Sequence, residues 1–391
     1  MIGPGWADDR GAPARATPSR LCRVAVVTGS RADFGLLTPV MRAIDERPEL
    51  ELLVIAAGAH LIPPATTFRD VKALFPVADS VPMQTAGRHT RFDDAEAVGK
   101  GIARFARSFA GLQPDWVVVL GDRIEAFAAA SAAAIGGWAL AHIHGGDRAP
   151  GVADEQMRHA ITKLAHLHLA ATDESAQRII RMGETPDRVH VVGSPAIDTL
   201  EPIPPLDDDA FDALGAPDLL LLMHPIGRSD EQEEHAAAEA LGAMCDAGGR
   251  ILALHPNTDP GRRGVLRAIE ASGAPAVEHL ERARFVGLLK RMVAAGGVLV
   301  GNSSAGLIEA PALGLRVVDV GARQQGRQRP QSVISAAEQR SAIVAAISAA
   351  RRAEPGPAGL YGDGHAAERA SALLAQVDPH SAALLTKLCA D

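Results

Sequence analysis

The segment from residue 116 to residue 163 constrains the fold more than any other part of the chain. The apolar run at 116–120 ends in Gly-Asp-Arg, an alanine-rich helical segment follows, and a second apolar run ends in HIHGGD at 142–147. A loop and a charged helix start then lead to Lys163. This order predicts a strand, a helix, a second strand, a loop and another helix. Because ligands bind at the carboxyl ends of strands in open α/β sheets, we expect these charged residues to form a functional site.

The same alternation of apolar runs and helical segments extends over most of the chain. Further strands are expected at 23–28, 50–57, 167–172, 189–193, 219–223, 251–254, 297–300 and 316–320. Helices are expected at 36–44, 91–110, 174–183, 230–246, 281–293, 336–352 and 365–376. At 391 residues the chain exceeds one ordinary core, and a proline-rich, acidic stretch at 201–209 separates two α/β series. We expect a disordered leader at 1–21, α/β domains at 22–200 and 201–364, and C-terminal helices at 365–391.

Composition narrows the class of protein. The formal net charge is −8 and lysine and arginine form no block, so neither nucleic acid nor a membrane surface is an expected partner. No apolar run approaches the roughly 18 residues of a bilayer span, and the first twenty residues lack the apolar core of a secretory signal. Cys22, Cys245 and Cys389 are too few and too scattered for disulfides or a metal cluster. We therefore expect a soluble cytoplasmic protein.

Two strand ends of the first half carry candidate binding residues. Gly29 and Ser30 form a turn between a strand and a helix start, where free backbone N–H groups bind anions. Arg31 either adds a charge that matches phosphate or is only a surface arginine. Asp122 follows a strand and precedes a helix, so it either caps that helix or has a function.

The charged helix start after the second strand adds further candidates. Asp154 and Arg158 are four residues apart and share a helix face, either as a functional pair or as a solvated one. His142 and His144 lack the further closely spaced ligands that a zinc site needs, so no metal is expected. Single residues here prove little, and the density of charged groups is the signal.

In the second half, His224 and His255 follow predicted strands. Asn302, Ser303 and Ser304 form either an anion cradle at a helix start or an ordinary helix cap. Glu309 could accept the two hydroxyls of a ribose. The loop at 321–327 could hold the edge of a base, and by itself is only a polar loop.

Together these segments resemble the UDP-N-acetylglucosamine 2-epimerase family, and in particular its hydrolysing branch, which makes N-acetylmannosamine and related sugars for sialic-acid-type pathways. The resemblance runs from Val24 to about Ala375. It rests on GSRADFG at 29–35, GDRIE at 121–125, HIHGGD at 142–147, DEQMRHAITKLAHLHL at 154–169, RMGE at 181–184, VGSPAID at 192–198, HP at 224–225, GNSSAGLIEAP at 301–311 and GARQQGR at 321–327. Each motif alone is weak, but the set in this order and spacing is specific.

The resemblance implies an α/β fold of two Rossmann-like domains in a GT-B-like arrangement, with the active site in the interdomain cleft. It implies a UDP-sugar substrate, with UDP held mainly by the second domain and catalytic carboxylates presented by the first. The implied reaction is elimination of UDP across C1–C2 to a glycal, followed by addition of water with inversion at C2. No cofactor is implied, a homodimer is, and the C-terminal helices are expected to cross back to the first domain.

Site residues follow from the resemblance by position. Those that match catalytic or sugar-contacting positions are Asp122, Asp154, Arg158 and His224. Those that match or adjoin substrate-binding and UDP-binding positions are Arg31, Asp33, His255, Asn302, Ser303, Ser304, Gly306, Glu309, Arg323, Gln324 and Arg327.

The chain departs from the family's pattern at the expected acid/base group. Many relatives carry a glutamate where this chain has His144, and Asp147 stands where the pattern has a longer glutamate. His144, Asp147 and, in reserve, Glu155 are therefore the candidates that complete the catalytic set. The loop at 62–67 lacks the usual Phe-Gly and is shorter than usual, which bears on sugar specificity.

Three alternatives to a hydrolysing UDP-N-acetylglucosamine 2-epimerase stay open. The same chemistry could act on a modified UDP-sugar, such as a 2,4-diacetamido-trideoxyhexose. A UDP-sugar-dependent glycosyltransferase has the same fold but would transfer the sugar to an acceptor. If His144 disables the acid/base set, the chain would be a non-catalytic sensor that binds UDP-sugars without turnover.

Overall fold

The computed structural model describes residues 20–63, 67–87, 90–148, 155–257, 259–354 and 359–388. Two parallel sheets, each covered by helices, make up the chain, one in each half. The first sheet has the strand order β3-β2-β1-β4-β5-β6-β7 and the second has the order β10-β9-β8-β11-β12-β13. Every strand pair is parallel, as the alternation of apolar runs and helices predicts.

The elements of the first half are β1 Cys22–Thr28, α1 Arg31–Asp45, β2 Leu50–Ala57, α2 Phe68–Leu74, β3 Val77–Val81, α3 Arg91–Leu112, β4 Trp116–Leu120, α4 Ile124–Gly136, β5 Ala139–Ile143, α5 Glu155–Leu164, β6 Leu167–Ala170, α6 Asp173–Arg181, β7 Val189–Val191 and α7 Pro195–Asp198. Those of the second half are α8 Asp208–Asp212, β8 Leu219–Leu222, α9 Asp230–Ala247, β9 Ile251–Leu254, α10 Arg262–Ser272, β10 Ala276–Val277, α11 Arg282–Ala294, β11 Val298–Gly301, α12 Glu309–Ala312, β12 Arg316–Val320, β13 Val333–Ala336, α13 Arg340–Arg352, α14 Ala366–Gln376 and α15 Ala382–Leu385.

The central strands are continuous apolar runs because helices cover both faces of each sheet. All residues of β4 (WVVVL), β8 (LLLL) and β11 (VLVG) are buried. Each sheet therefore separates two apolar cores, one on either face. Among the described residues, no helix is long and apolar enough to cross a bilayer.

Three predicted helices have different boundaries in the structure. The helix predicted at 36–44 begins at Arg31, because Ser30 and Asp33 form a capping box. The helix predicted at 336–352 begins at Arg340, because residues 333–336 pair with β12 as the edge strand β13. The helix expected to run through Glu309 is a 3-10 turn followed by the four-residue α12, which contains Pro311 and therefore lacks a backbone donor.

The segment after the second sheet returns to the first sheet. The helix α14 packs against α1, and the indole N–H of Trp116 donates to the carbonyl of Leu374 at 3.1 Å. The carboxylate of Asp198 accepts hydrogen bonds from the first two backbone N–H groups of α14. The C-terminal segment is thereby part of the packing around the first sheet.

A buried acid also holds the C-terminal segment in place. The Glu184 carboxylate accepts hydrogen bonds from Lys163 at 2.6 Å, from His168 at 3.0 Å and from Lys387. Burial alone would raise the pKa of Glu184, but these hydrogen bonds and the positive charges lower it to about 2. Since this pKa lies below the ordinary value of 4.5, Glu184 stabilises the fold above about pH 4.5, and that contribution is lost as the pH falls towards 2.

We therefore expect Glu184→Gln to lower the free energy of unfolding at pH 7 by about 2 kcal/mol, because charged hydrogen bonds are replaced by weaker ones. The difference from the wild type should shrink as the pH falls from about 4.5 to 2. Urea unfolding across this pH range measures it. Glu174→Gln is the matched control, since Glu174 is 47% exposed and pairs with Arg178 on the same helix. Equal destabilisation by the two variants would contradict the prediction.

Candidate active site

The predicted site residues that the structure describes lie around the carboxyl edges of the two sheets, and these edges face each other. The backbone N–H of Ser194, just after β7, donates to the carbonyl of Tyr361 at 2.7 Å. The guanidinium of Arg282, at the start of α11, donates to the carbonyl of Ala196 at 2.7 Å and to the Thr199 hydroxyl at 3.0 Å. These contacts join the halves beside the cleft.

Arg158 is the centre of the first half's site. Its side chain is 3% exposed, and its guanidinium binds the Asp122 carboxylate, Glu155 Oε2 at 2.7 Å and the carbonyl of Asp147 at 3.1 Å. The helix α5 begins at Glu155, so Glu155 and Arg158 lie one turn apart on the same face. Burial lowers the pKa of Arg158, and the charge of Arg327 lowers it further. The structure thus brings three predicted residues together in a buried charge cluster.

Two of the simpler interpretations are therefore wrong. Arg123, and not Asp122, is the N-cap residue of α4, which leaves the Asp122 carboxylate for Arg158. Arg158 is buried, so it is not part of a solvated surface pair. The predicted partner Asp154 lies outside the described residues.

His144 and Asp147 lie in the turn after β5. His144 has a backbone φ of +63°, a conformation that non-glycine residues rarely adopt and that concentrates at functional sites. Its Nδ1 lies 2.8 Å from Asp147 Oδ2, and its Nε2 lies 2.9 Å from Ser194 Oγ. The Ser175 hydroxyl donates to Asp147 Oδ1 at 2.7 Å. Burial alone would raise the pKa of Asp147, but His144, Arg327 and Ser175 together lower it.

The turn at Gly29 differs from its prediction. The Asp33 carboxylate accepts hydrogen bonds from the backbone N–H groups of Gly29 and Ser30, each at 2.8 Å, and from the Ser30 hydroxyl at 3.0 Å. The expectation of free N–H groups for an anion is therefore wrong, because the chain's own carboxylate binds them. Arg31 is exposed. It faces the second half, because its charge helps to lower the pKa of His279 there; burial of His279 is the larger cause.

His224 is held rigidly at the edge of the second sheet. Its backbone N–H donates to Asn302 Oδ1 at 2.7 Å, and Asn302 Nδ2 donates to its carbonyl at 2.8 Å. Its Nδ1 accepts the backbone N–H of Asn257 at 3.1 Å. Burial, followed by the charge of Arg323, lowers the pKa of His224 to about 3. The imidazole is therefore neutral, and its tautomer carries the proton on Nε2 as a hydrogen-bond donor.

The residues that follow β11 form a capped turn. Ser303 Oγ accepts the backbone N–H of Ala305 at 3.4 Å, as an ordinary cap does. Ser304 and Gly306 form one 3-10 turn, and no long helix follows that could supply a dipole. His255 lies at the end of β9 on the same edge, where its backbone N–H donates to Val277.

Glu309 is bound by a residue that the sequence did not single out. The Glu309 carboxylate pairs with Arg282, which also contacts Ala196 and Thr199 of the first half. The pair therefore connects α12 with the first half. In this structure the Glu309 carboxylate, which was expected to bind a ribose, accepts a hydrogen bond from Arg282.

The loop after β12 presents buried polar atoms. The side chains of Arg323 and Gln324 both donate to the carbonyl of Asn302, at 3.2 and 2.9 Å. Within the described residues, five buried side-chain atoms of this loop have no hydrogen-bond partner: Arg323 Nε, Gln324 Oε1, Arg327 Nε, Gln328 Oε1 and Ser332 Oγ. Buried polar atoms are usually paired, so such a concentration indicates a ligand-binding surface.

Sequence reasoning missed four residues around the site: Glu125, Ser194, Arg282 and Tyr361. Glu125 is 1% exposed and lies against Gly29 and Gly58, so that a Cβ added to either glycine would overlap the Glu125 side chain. Burial raises the pKa of Glu125. Glu125 and Ser194 belong to the GDRIE and VGSP motifs, which were the only signals available for them.

Within the described ranges, no three His, Cys, Asp or Glu side chains are arranged to hold a metal ion.

The fold and the site define a GT-B-like α/β protein, with a polar cleft between the carboxyl edges of two parallel sheets. The crystal structure of UDP-N-acetylglucosamine 2-epimerase from Neisseria meningitidis bound to UDP-GlcNAc has the same fold, with a TM-score of 0.77 at 18% identity over 91% of this chain and 100% of that one.

The sequence profile of the UDP-N-acetylglucosamine 2-epimerase family matches residues 42–375. The UDP-N,N'-diacetylbacillosamine 2-epimerase (hydrolyzing) of Legionella pneumophila is 33% identical over 92% of this chain and 97% of its own length. The UDP-N-acetylglucosamine 2-epimerase of Neisseria meningitidis is 30% identical over 80% of this chain and 83% of its own. The chain belongs to the UDP-N-acetylglucosamine 2-epimerase family.

Proposed function

We propose that this protein is a hydrolysing UDP-N-acetylglucosamine 2-epimerase that releases UDP and N-acetylmannosamine. The observation that carries the proposal is the convergence of two guanidinium groups from opposite halves. Arg158 of the first half and Arg327 of the second half are close enough for their charges to interact. Two cations that converge in a cleft favour an anion between them, and a diphosphate suits this arrangement.

The second domain, at 201–364, would bind UDP. Arg323 and Arg327 would contact the diphosphate, with Arg31 approaching from the first half. The neutral His224 would donate its Nε2–H to the departing phosphate oxygen, which gathers charge as the C1–O bond breaks. Ser303, Ser304, Gly306, Glu309, Gln324 and His255 would line the nucleotide subsite.

The first domain, at 22–200, would supply proton transfer. The C2 proton of the sugar is weakly acidic, so a positioned base must remove it while UDP departs. Inversion at C2 also requires a proton donor on the opposite face of the glycal. Asp122, Asp154, Glu155, His144 and Asp147 are the candidates, and Arg158 would hold the two carboxylates of Asp122 and Glu155 in place.

A modified UDP-sugar is the second candidate substrate. The Legionella relative, whose name specifies UDP-N,N'-diacetylbacillosamine and hydrolysis, matches more of this chain than the Neisseria relative does. The side-chain amides of Gln324 and Gln328, each with a buried unpaired oxygen among the described residues, could accept from an additional acetamido group.

Incubation with UDP-N-acetylglucosamine in deuterated water tests the proposal, with proton NMR and ion-exchange chromatography as readouts. We expect free UDP and N-acetylmannosamine deuterated at C2. Intact UDP-N-acetylmannosamine would show a non-hydrolysing epimerase. Turnover of only the diacetamido sugar would select the second candidate, and UDP binding without turnover of either would indicate a sensor.

A further inference from the structure

Four side chains form a continuous hydrogen-bonded chain at the carboxyl edge of the first sheet. It runs from Ser175 to Asp147 at 2.7 Å, from Asp147 to His144 at 2.8 Å and from His144 to Ser194 at 2.9 Å. All four residues are buried, and they come from three segments: the turn after β5, the helix α6 and the residues after β7.

The hydrogen bonds of this chain have a defined direction. The ionised Asp147 carboxylate only accepts, so it receives the Ser175 hydroxyl proton on Oδ1 and the His144 Nδ1–H on Oδ2. When His144 carries one proton, Nδ1 holds it, and the lone pair on Nε2 accepts the Ser194 hydroxyl proton. Ser194 Oγ in turn accepts the backbone N–H of Ala196 at 3.3 Å. The chain therefore fixes the tautomer in which Nε2 is the base.

The same wall of the cleft holds the charge cluster around Arg158. Arg158 donates to the carbonyl of Asp147, and Arg178 donates to the carbonyl of Gly146. The charge of Arg327 also acts on Asp147 from the second half. Two further titratable groups lie near the chain: His142 on β5 interacts electrostatically with His144 and Asp147, and Tyr361 interacts with Asp147. A substrate diphosphate near Arg158 and Arg327 would thus place its sugar beside His144.

We propose that His144 is the base that removes the C2 proton, and that Asp147 and Ser194 are positioning residues that fix its tautomer. This assignment rests on the proposed function. The Nε2 lone pair takes the proton, the C2–H electron pair forms the C1=C2 double bond, and the C1–O pair leaves with UDP. Asp147 stabilises the resulting imidazolium, as a carboxylate does when it orients a catalytic histidine. Ser194 occupies Nε2 in the free protein and yields it to the substrate.

The first experiment measures the tautomer directly, without turnover. In wild-type protein with ¹⁵N-labelled histidine, long-range ¹H–¹⁵N correlation should show His144 protonated on Nδ1. In Asp147→Asn the side-chain amide can donate to Nδ1, so the proton should move to Nε2. A wild-type protein with the proton on Nε2 would overturn the positioning role.

The second experiment measures turnover of the UDP-sugar. His144→Gln should lower kcat by about 10²–10⁴-fold with little change in KM, since the base is lost and the diphosphate contacts remain. Neither UDP nor an unsaturated sugar should accumulate. Asp147→Asn should lower kcat similarly and should also change the pH profile, which a merely structural role would not do. His190→Gln, on β7, is the matched control and should retain wild-type turnover.

Two results would overturn the base assignment. UDP release by His144→Gln at the wild-type rate would place the base elsewhere, and UDP release with accumulation of the unsaturated sugar would restrict His144 to hydration. If wild-type protein turns over neither UDP-sugar, the proposed function fails together with the base role. The tautomer measurement still decides the positioning role in that case, so the two failures are distinguishable.

Discussion

Arg158→Met is expected to abolish turnover of the UDP-sugar and to lower the free energy of unfolding by about 3–5 kcal/mol. The methionine has a similar length, but it leaves the Asp122 carboxylate without its guanidinium partner in a largely buried position. It also removes a donor from Glu155 and one from the carbonyl of Asp147. Breaking a buried ion pair leaves an uncompensated charge. The resulting loss of unfolding free energy should therefore exceed the loss from breaking any surface ion pair. Urea unfolding and UDP release measure the two effects.

A second variant at this position separates charge from geometry, and a variant of an exposed arginine is the control. Arg158→Lys keeps the positive charge but cannot reproduce the planar fork that reaches three acceptors, so we expect intermediate stability and strongly reduced turnover. Arg340→Met is the matched control, because Arg340 is 51% exposed and pairs with the exposed Asp246, so it should destabilise the fold far less than Arg158→Met does. Wild-type turnover in Arg158→Met would contradict the role of this cluster in the site.

Asn302→Ala is expected to lower turnover by about 10²-fold, because it releases the backbone of His224 and displaces its donor from the leaving phosphate. The Asn302 side chain is the partner of both the backbone N–H and the carbonyl of His224. Loss of these two hydrogen bonds should also cost about 1–3 kcal/mol of stability. Steady-state kinetics and thermal unfolding measure the two effects.

Asn302→Asp tests the directional part of this prediction. The aspartate keeps an acceptor for the His224 N–H but loses the donor to the His224 carbonyl, so its turnover should lie between those of the wild type and Asn302→Ala. Histidine NMR should show the Nε2–H tautomer of His224 preserved in the wild type and disturbed in the alanine variant. Unchanged kinetics in both variants would show that the position of His224 does not limit the reaction.

The central strands were predictable from sequence because burial on both faces makes each of them a continuous apolar run. The predicted boundaries of β2, β9 and β12 agree with the structure. The strands β3, β10 and β13 were missed. They lie at the sheet edges, are short and contain at most one buried residue each, so their apolar signal is weak.

The sequence by itself determined the α/β class, the order of the motifs and which polar residues follow the strands, since these depend on local patterns of apolar residues and turns. Only the tertiary structure decided which side chains meet. Arg158 reaches Asp122 across a crossover, Asp33 binds the turn predicted to be open, and Ser194 reaches His144 from another strand end. These contacts join residues that are distant in the chain, so they depend on how the strands and helices pack, which local sequence does not encode.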